Sequence, residues 1–221
     1  MKKQTLWVIA AGIAACVIMA VVDGVWQPPY ALKSAVKLML FLGLPLLLSL
    51  KSKDIAFREL FRFRRKGFLL SLGLGAGLYC LILGAYFLAG RFFDFSAIAG
   101  SLSQNAGVTK ENFLFVSLYI SFVNSLLEEF FFRGFLFGNL KRLQSRQFAY
   151  GFSAVSFSLY HVAMMVGWFS LPLFLLVMSG LVVGGMIFNY MNERLDTIYC
   201  SWLTHMFANF AINTIGFLLM V

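Results

Sequence analysis

The sequence is short of charge. Asp, Glu, Lys and Arg together make up 12% of 221 residues, where soluble globular chains carry about 25%. Only nine residues are acidic against 18 basic, which leaves a formal net charge of +9. Proline occurs four times and histidine twice. Apolar residues fill 61% of the chain and aromatic ones 17%. A water-soluble fold of this length has too little interior to bury that much apolar surface. A soluble enzyme, a disordered chain and a nucleic-acid-binding domain are therefore excluded. The basic excess is what loops facing anionic lipid carry, and by itself it implies no nucleic-acid partner. The three cysteines, Cys16, Cys80 and Cys200, are odd in number and scattered among apolar residues. A disulfide framework or a thiolate metal site needs paired spacing, so they are read as packing residues.

What the chain has is long apolar runs. Spanning a bilayer takes roughly 20 such residues as a helix. Seven candidates are found, at 6–22, 36–50, 68–89, 113–140, 148–168, 171–190 and 198–221. The expected fold is all-α, a polytopic membrane helix bundle of about seven transmembrane helices. It forms a single integral membrane domain over 1–221. Within it, 1–112 holds the N-terminal spans and a basic interfacial segment, and 113–221 holds the helices that carry the motifs described below. The N-terminus begins like a signal peptide, and Ile13-Ala14-Ala15-Cys16 resembles a lipoprotein cleavage box. The apolar run continues past it to Val22, so an uncleaved first span is expected.

Cation placement sets the orientation. With seven spans, thirteen of the 18 Lys and Arg fall at the N-terminus, 51–66, 141–147 and 191–197. Four (Lys33, Lys37, Arg91 and Lys110) fall on the other side, and Arg133 lies inside a span. A cytoplasmic N-terminus and an outside C-terminus follow. The segment 51–66 mixes seven cations with apolar residues, of which Phe57, Leu60 and Phe61 share a helical face. It reads as a cytoplasmic loop in the headgroup layer. The pairs Gly73/Gly77, Gly134/Gly138 and Gly180/Gly184 have the small-x-x-x-small spacing that lets apolar helices approach closely.

Ionisable residues inside spans are costly, by ~2.5–3.5 kcal/mol each, and point to function. Here they gather. The fourth span carries Glu128, Glu129 and Arg133, the fifth His161, and the seventh His205 and Asn209. At about 1.5 Å per residue, Glu128 and His161 lie about 20 Å from the cytoplasmic ends of their helices, and His205 and Asn209 about 10 and 16 Å. Three helices thus bring a carboxylate pair, two imidazoles and an amide to similar depths. His205 and Asn209 share a face, which Asn213 continues. Glu128 and Glu129 diverge by about 100°. Glu129 precedes Arg133 by four, the favourable order for an ion pair, which leaves Glu128 to face His161. Asn124, four before Glu128, shares its face, and Phe157 reads as packing.

Glu-Glu-x-x-x-Arg (Glu128, Glu129, Arg133), Phe-x-x-x-His (Phe157, His161) and His-x-x-x-Asn (His205, Asn209) together resemble the motif set of the CPBP intramembrane proteases. That Abi-like family includes type II CAAX prenyl endopeptidases and bacteriocin-processing enzymes. The resemblance covers 128–209 and implies hydrolysis of a peptide bond in or at the edge of the membrane. By similarity, Glu128 and His161 activate water, His205 and Asn209 bind the developing oxyanion, and Glu129 and Arg133 support them. These residue types suit the chemistry. A desolvated carboxylate serves as a base, and His and amide N–H groups stabilise negative oxygen where water is excluded.

The preferred reading requires no cofactor. A metalloprotease is the alternative, since Glu128, His161 and His205 form a legitimate zinc set with a fourth position for water; against it, the His-Glu-x-x-His helix is lacking. The implied partners are the lipid bilayer and a membrane-associated peptide or protein substrate, prenylated or not, with no nucleic acid. The implied location is a bacterial plasma membrane, with the site reached from the cytoplasmic half. Two other classes fit a mid-membrane Glu, His and Asn: a proton- or solute-coupled carrier, and a catalytically silent scaffold. The absence of an internal repeat counts against the carrier.

Overall fold

The apolar runs become helices. The computed structural model describes residues 3–57, 60–93 and 111–220, and among these there is no strand. Seven long helices follow in order: α1 (Lys3–Trp26), α2 (Tyr30–Lys51), α3 (Arg65–Ala89), α4 (Phe113–Leu143), α5 (Arg146–Tyr160), α6 (Leu171–Leu195) and α7 (Ile198–Met220). Five of them (α1, α2, α3, α4 and α6) are long and apolar enough to cross a membrane. The molecule is an all-α membrane helix bundle. Of the cations used to orient it, Lys2, Arg58 and Lys110 lie outside the described residues, as does Val221.

Local chemistry sets the ends. α1 stops where Gln27 turns left-handed (φ 47°) ahead of Pro28 and Pro29. Ser145 caps α5, its Oγ accepting from the Phe148 N–H at 3.2 Å. Pro172 opens α6 in the first turn, where its missing N–H costs nothing. Left-handed Asp196 (φ 53°) closes that helix.

The fifth span departs from expectation. It was read to residue 168, but its helix ends at Tyr160, and a single separate turn, Val162–Met165, follows. Fifteen residues make only about 22 Å of helix. The cause is His161: its N–H bonds the Ser158 carbonyl at 3.0 Å, tightening the last turn, and its ring then bonds the freed Phe157 carbonyl.

α7 lies along α3, and α6 along α5, with α1 against α5 and the end of α4. The centre is α4, whose residues 129–137 are all buried. Phe131 stacks on Phe41 of α2 with ring centroids 4.3 Å apart, and Phe132 meets Phe157 of α5 edge-on at 5.3 Å. This stretch is π-helical over nine residues, and 22–26, 39–43 and 120–124 are π-helical over five each; π segments inside α-helices are frequent at functional sites.

Two readings of packing need correction. Gly73, Gly77, Gly180 and Gly184 face open space, and Gly138 meets only its own helix's backbone. Close approach occurs instead at Gly185, where an added Cβ would sit 3.0 Å from the Ala154 Cα, and at Gly134, which accommodates the Leu60 side chain. The basic segment is a loop, but its Ile55 and Phe57 pack into the bundle instead of lying in the headgroup layer. Its described residues from Ser52 to Arg64 are non-helical. Ile55 is buried, and Phe57 sits 4.9 Å from Phe130. Its backbone is pinned as well: the Leu60 carbonyl accepts from the Ile198 N–H at 2.9 Å, and the Ala56 N–H donates to Asn139 at 3.0 Å. The aromatic core of α4 offers these side chains a drier partner than the headgroup layer.

Candidate active site

Four elements converge on Glu128. From α4, its Oε2 faces His161 Nε2 at the end of α5 (3.9 Å) and His205 Nε2 on α7 (3.8 Å). Its Oε1 receives the Lys37 ammonium of α2 at 2.6 Å and the Asn124 amide at 3.0 Å. Lys37 also bonds Asn124 Oδ1.

The two carboxylates do not part company as the helical angle implied. Glu129 Oε1 lies 3.0 Å from His205 Nδ1, so one imidazole spans both acids. The helix changes from α to π hydrogen bonding between Glu128 and Glu129. A turn with i→i+5 bonds is wider, so successive side chains diverge less. Glu129 also meets Arg133 Nη1 at 3.3 Å, as the spacing implied. The guanidinium is fully buried, 4.2 Å from the Phe157 ring and 5.0 Å from that of Phe188.

Partners fix the tautomers. His161 Nδ1 lies 2.7 Å from the Phe157 carbonyl, which only accepts, so Nδ1 carries the proton. His205 Nδ1 faces a carboxylate and carries the proton likewise. In a neutral ring, each Nε2 therefore offers a lone pair toward Glu128. Aromatic walls hold both rings: Phe157 is edge-on to each, Tyr160 is edge-on to His161, and Phe188 stacks on His205 at 5.4 Å. Among the described charged groups in contact here, two carboxylates are balanced by Lys37 and Arg133.

Asn209 lies one turn beyond His205. Its amide donates to the Ile120 carbonyl at 3.3 Å, and Asn213 donates to the Ser117 carbonyl and to Ser121. Trp202, on the same polar stripe, donates to the Phe122 carbonyl at 3.0 Å. The stripe ties α7 to α4.

Lys37 is the residue that sequence reasoning missed. It was counted as a loop cation on the outer side, yet it is only 5% exposed and sits inside the bundle. Removing it from that side leaves the cation bias in the same direction. The available signal was its spacing: Lys33 and Lys37 share a face of one helix, and Lys33 pairs with Asp23 at 3.4 Å.

A zinc-type ion fits this arrangement poorly. A catalytic zinc takes three protein ligands at about 2.0–2.3 Å. Among the described residues no group of three His, Cys, Asp or Glu side chains has the geometry to hold a metal ion. A dication on Glu128 would also share the carboxylate with the Lys37 ammonium, 2.6 Å away.

No curated protein and no solved structure gives a significant match to the chain. One family model does, described as type II CAAX prenyl endopeptidase, Rce1-like, and it matches residues 110–211. That stretch holds Glu128, Glu129, Arg133, His161, His205 and Asn209 in order. Over residues 110–211 the chain is similar to the Rce1-like type II CAAX prenyl endopeptidases.

Proposed function

We propose that this protein is an intramembrane endopeptidase in which Glu128 and His161 activate water and His205 and Asn209 bind the oxyanion. The observation that carries this reading is the facing of Glu128 Oε2 and two imidazole Nε2 atoms at 3.8–3.9 Å. Separations of that size suit a bridging water, not a direct hydrogen bond. Such a water donates its protons to Oε2 and to His161 Nε2 while its oxygen faces the scissile carbonyl.

In the forward step the water oxygen bonds to the carbonyl carbon. One water proton passes to the Glu128–His161 pair, and the carbonyl π electrons move onto oxygen. His205 donates from Nε2 as the imidazolium, its Nδ1–H already facing Glu129, and the second ring proton comes from solvent before the step and stays on His205 throughout. Glu129, 3.0 Å away, supports that charge. The site gains one positive charge as the substrate gains one negative charge, which is what stabilises an oxyanion in a dry setting. The Asn209 amide has a second N–H beyond the one on Ile120 and serves as the other donor. Collapse of the tetrahedral intermediate breaks the C–N bond, and the stored proton goes to the leaving amine. No metal takes part in these steps.

The substrate is a membrane-associated peptide or protein, met within the bilayer of a bacterial plasma membrane from its cytoplasmic half. Whether a prenyl group is read is tested by competing prenylated and unprenylated forms of one peptide. The primary experiment compares membrane proteomes of cells carrying wild type and Glu128→Gln. A product missing from the variant identifies the substrate, and the purified variant should cleave it ~10²–10⁴-fold more slowly. Cleavage by Glu128→Gln at the wild-type rate overturns the mechanism.

A further inference from the structure

A lysine near a helix end ordinarily reaches out to the headgroups. Lys37 does the opposite. It lies seven residues into α2, about 10 Å along the helix, and points inward with its side chain 6% exposed. Its ammonium meets Glu128 Oε1 at 2.6 Å and Asn124 Oδ1. It also lies over two ring faces, Tyr160 at 4.9 Å and Phe41 at 5.4 Å. Both rings belong to the site's walls: Tyr160 is edge-on to His161 at 4.8 Å, and Phe41 stacks on Phe131 of α4. Cation–π attraction strengthens when the cation is desolvated.

We propose that Lys37 is a positioning residue of the hydrolytic site, holding Glu128 turned so that Oε2 faces the two imidazoles. The inference rests on the reading of Glu128 as the base. With Lys37 and Asn124 both donating to Oε1, the carboxylate has one orientation, and its other oxygen is committed to the reaction side. A buried ion pair is a poor way to gain stability, since an apolar pair of similar volume usually does as well. Its benefit here is placement. It also joins the two halves of the chain, because Lys37 lies outside the family-matched residues 110–211 while Glu128 lies within them. Asn124 shares the work, bonded to both partners, so the unit is a three-residue clamp.

The test uses full-length protein in detergent and the substrate found by the proteome comparison. Lys37→Met should lower kcat by roughly 10²-fold, the scale of losing general-base action, with KM within about 3-fold, since ground-state binding is untouched. Lys37→Arg, which keeps the charge and a donor, should recover most of that loss. In a Glu128→Gln background, Lys37→Met should cost nothing further, because there is no carboxylate left to hold. A second readout needs no substrate. The infrared difference between wild type and Glu128→Gln should contain the Glu128 carboxylate band, and Lys37→Met, which removes the hydrogen bond to Oε1, should shift it. Where Lys37→Met alone folds poorly, Lys37→Arg and the double variant carry the kinetic comparison. Wild-type kcat in folded Lys37→Met, an unchanged carboxylate band, or an equal fold-loss in the Glu128→Gln background overturns the proposal. Full cleavage by Glu128→Gln instead sinks the base reading, and that result is separate from all three.

Discussion

His205 joins the adjacent acids of α4: its Nδ1 lies 3.0 Å from Glu129, and its Nε2 lies 3.8 Å from Glu128. The imidazole is therefore a bridge whose orientation is set by one carboxylate and used toward the other. Glu129→Leu should remove the orienting acceptor and reduce kcat by roughly 10-fold to 10²-fold, while His205→Ala costs ~10²–10³-fold, the scale of a lost oxyanion donor. Combining them should cost little more than His205→Ala alone. Losses that multiply across the two positions, measured by single-turnover cleavage, separate Glu129 from His205.

The orientation prediction rests on the cation bias, which survives the burial of Lys37. In a chain with Cys16, Cys80 and Cys200 replaced by serine or alanine, a cysteine at position 221 should react with an impermeant maleimide from outside intact cells. A cysteine at position 2 should react only after permeabilisation. Both ends reacting from the same side would show an even number of crossings.

Much of this was legible in the sequence because the bilayer makes ionisable residues rare. Glu128, Glu129, Arg133, His161 and His205 stood out against apolar neighbours, and helical rise placed Glu128, His161 and His205 at similar depths. Lys37 was invisible for the same reason: a cation at the edge of a short apolar run reads as a loop residue, and only tertiary contact turns it inward. The shared reach of both glutamates to His205 was hidden by assuming α-helical angles through a π-helical stretch. The basic segment misled because charge was weighed above Ile55 and Phe57, which the aromatic core takes in. Glycine spacing misled because packing at Gly185 depends on where α5 crosses α6, and a repeat within one helix does not report that.

Metal dependence has a direct test. Protein dialysed against a chelator should retain its cleavage rate, and elemental analysis should find less than stoichiometric zinc. The expectation follows from Lys37 occupying Glu128 Oε1 and from the absence of metal-holding geometry among the described residues. Stoichiometric zinc that both His161→Ala and His205→Ala lose would restore the zinc reading and move Glu128 from base to ligand.

Arg133 separates fold from chemistry. Its guanidinium is buried between Phe157 and Phe188, and its closest anionic contact is Glu129 Oε1 at 3.3 Å. Its three nitrogens make no well-aligned hydrogen bond among the described residues, and neither does Glu129 Oε2. The pair is thus held by charge and by ring faces. An always-charged guanidinium is no base, so the loss of hydrolysis expected on removing it runs through Glu129, which shares the same Oε1 with His205. Removing one member of a buried pair costs about 3–5 kcal/mol because it strands the other charge. Arg133→Ala should therefore lower the thermal midpoint and the yield together with activity. Glu128→Gln should lower activity with a smaller loss of stability, because the amide keeps an acceptor for Lys37. Glu129→Gln combined with Arg133→Gln should be more stable than Arg133→Gln alone, since no buried charge is left unpaired. The measurement is the unfolding midpoint of each purified variant beside its single-turnover rate. Arg133→Ala with a wild-type midpoint and no activity would move the guanidinium out of the scaffold and into contact with the substrate or its transition state.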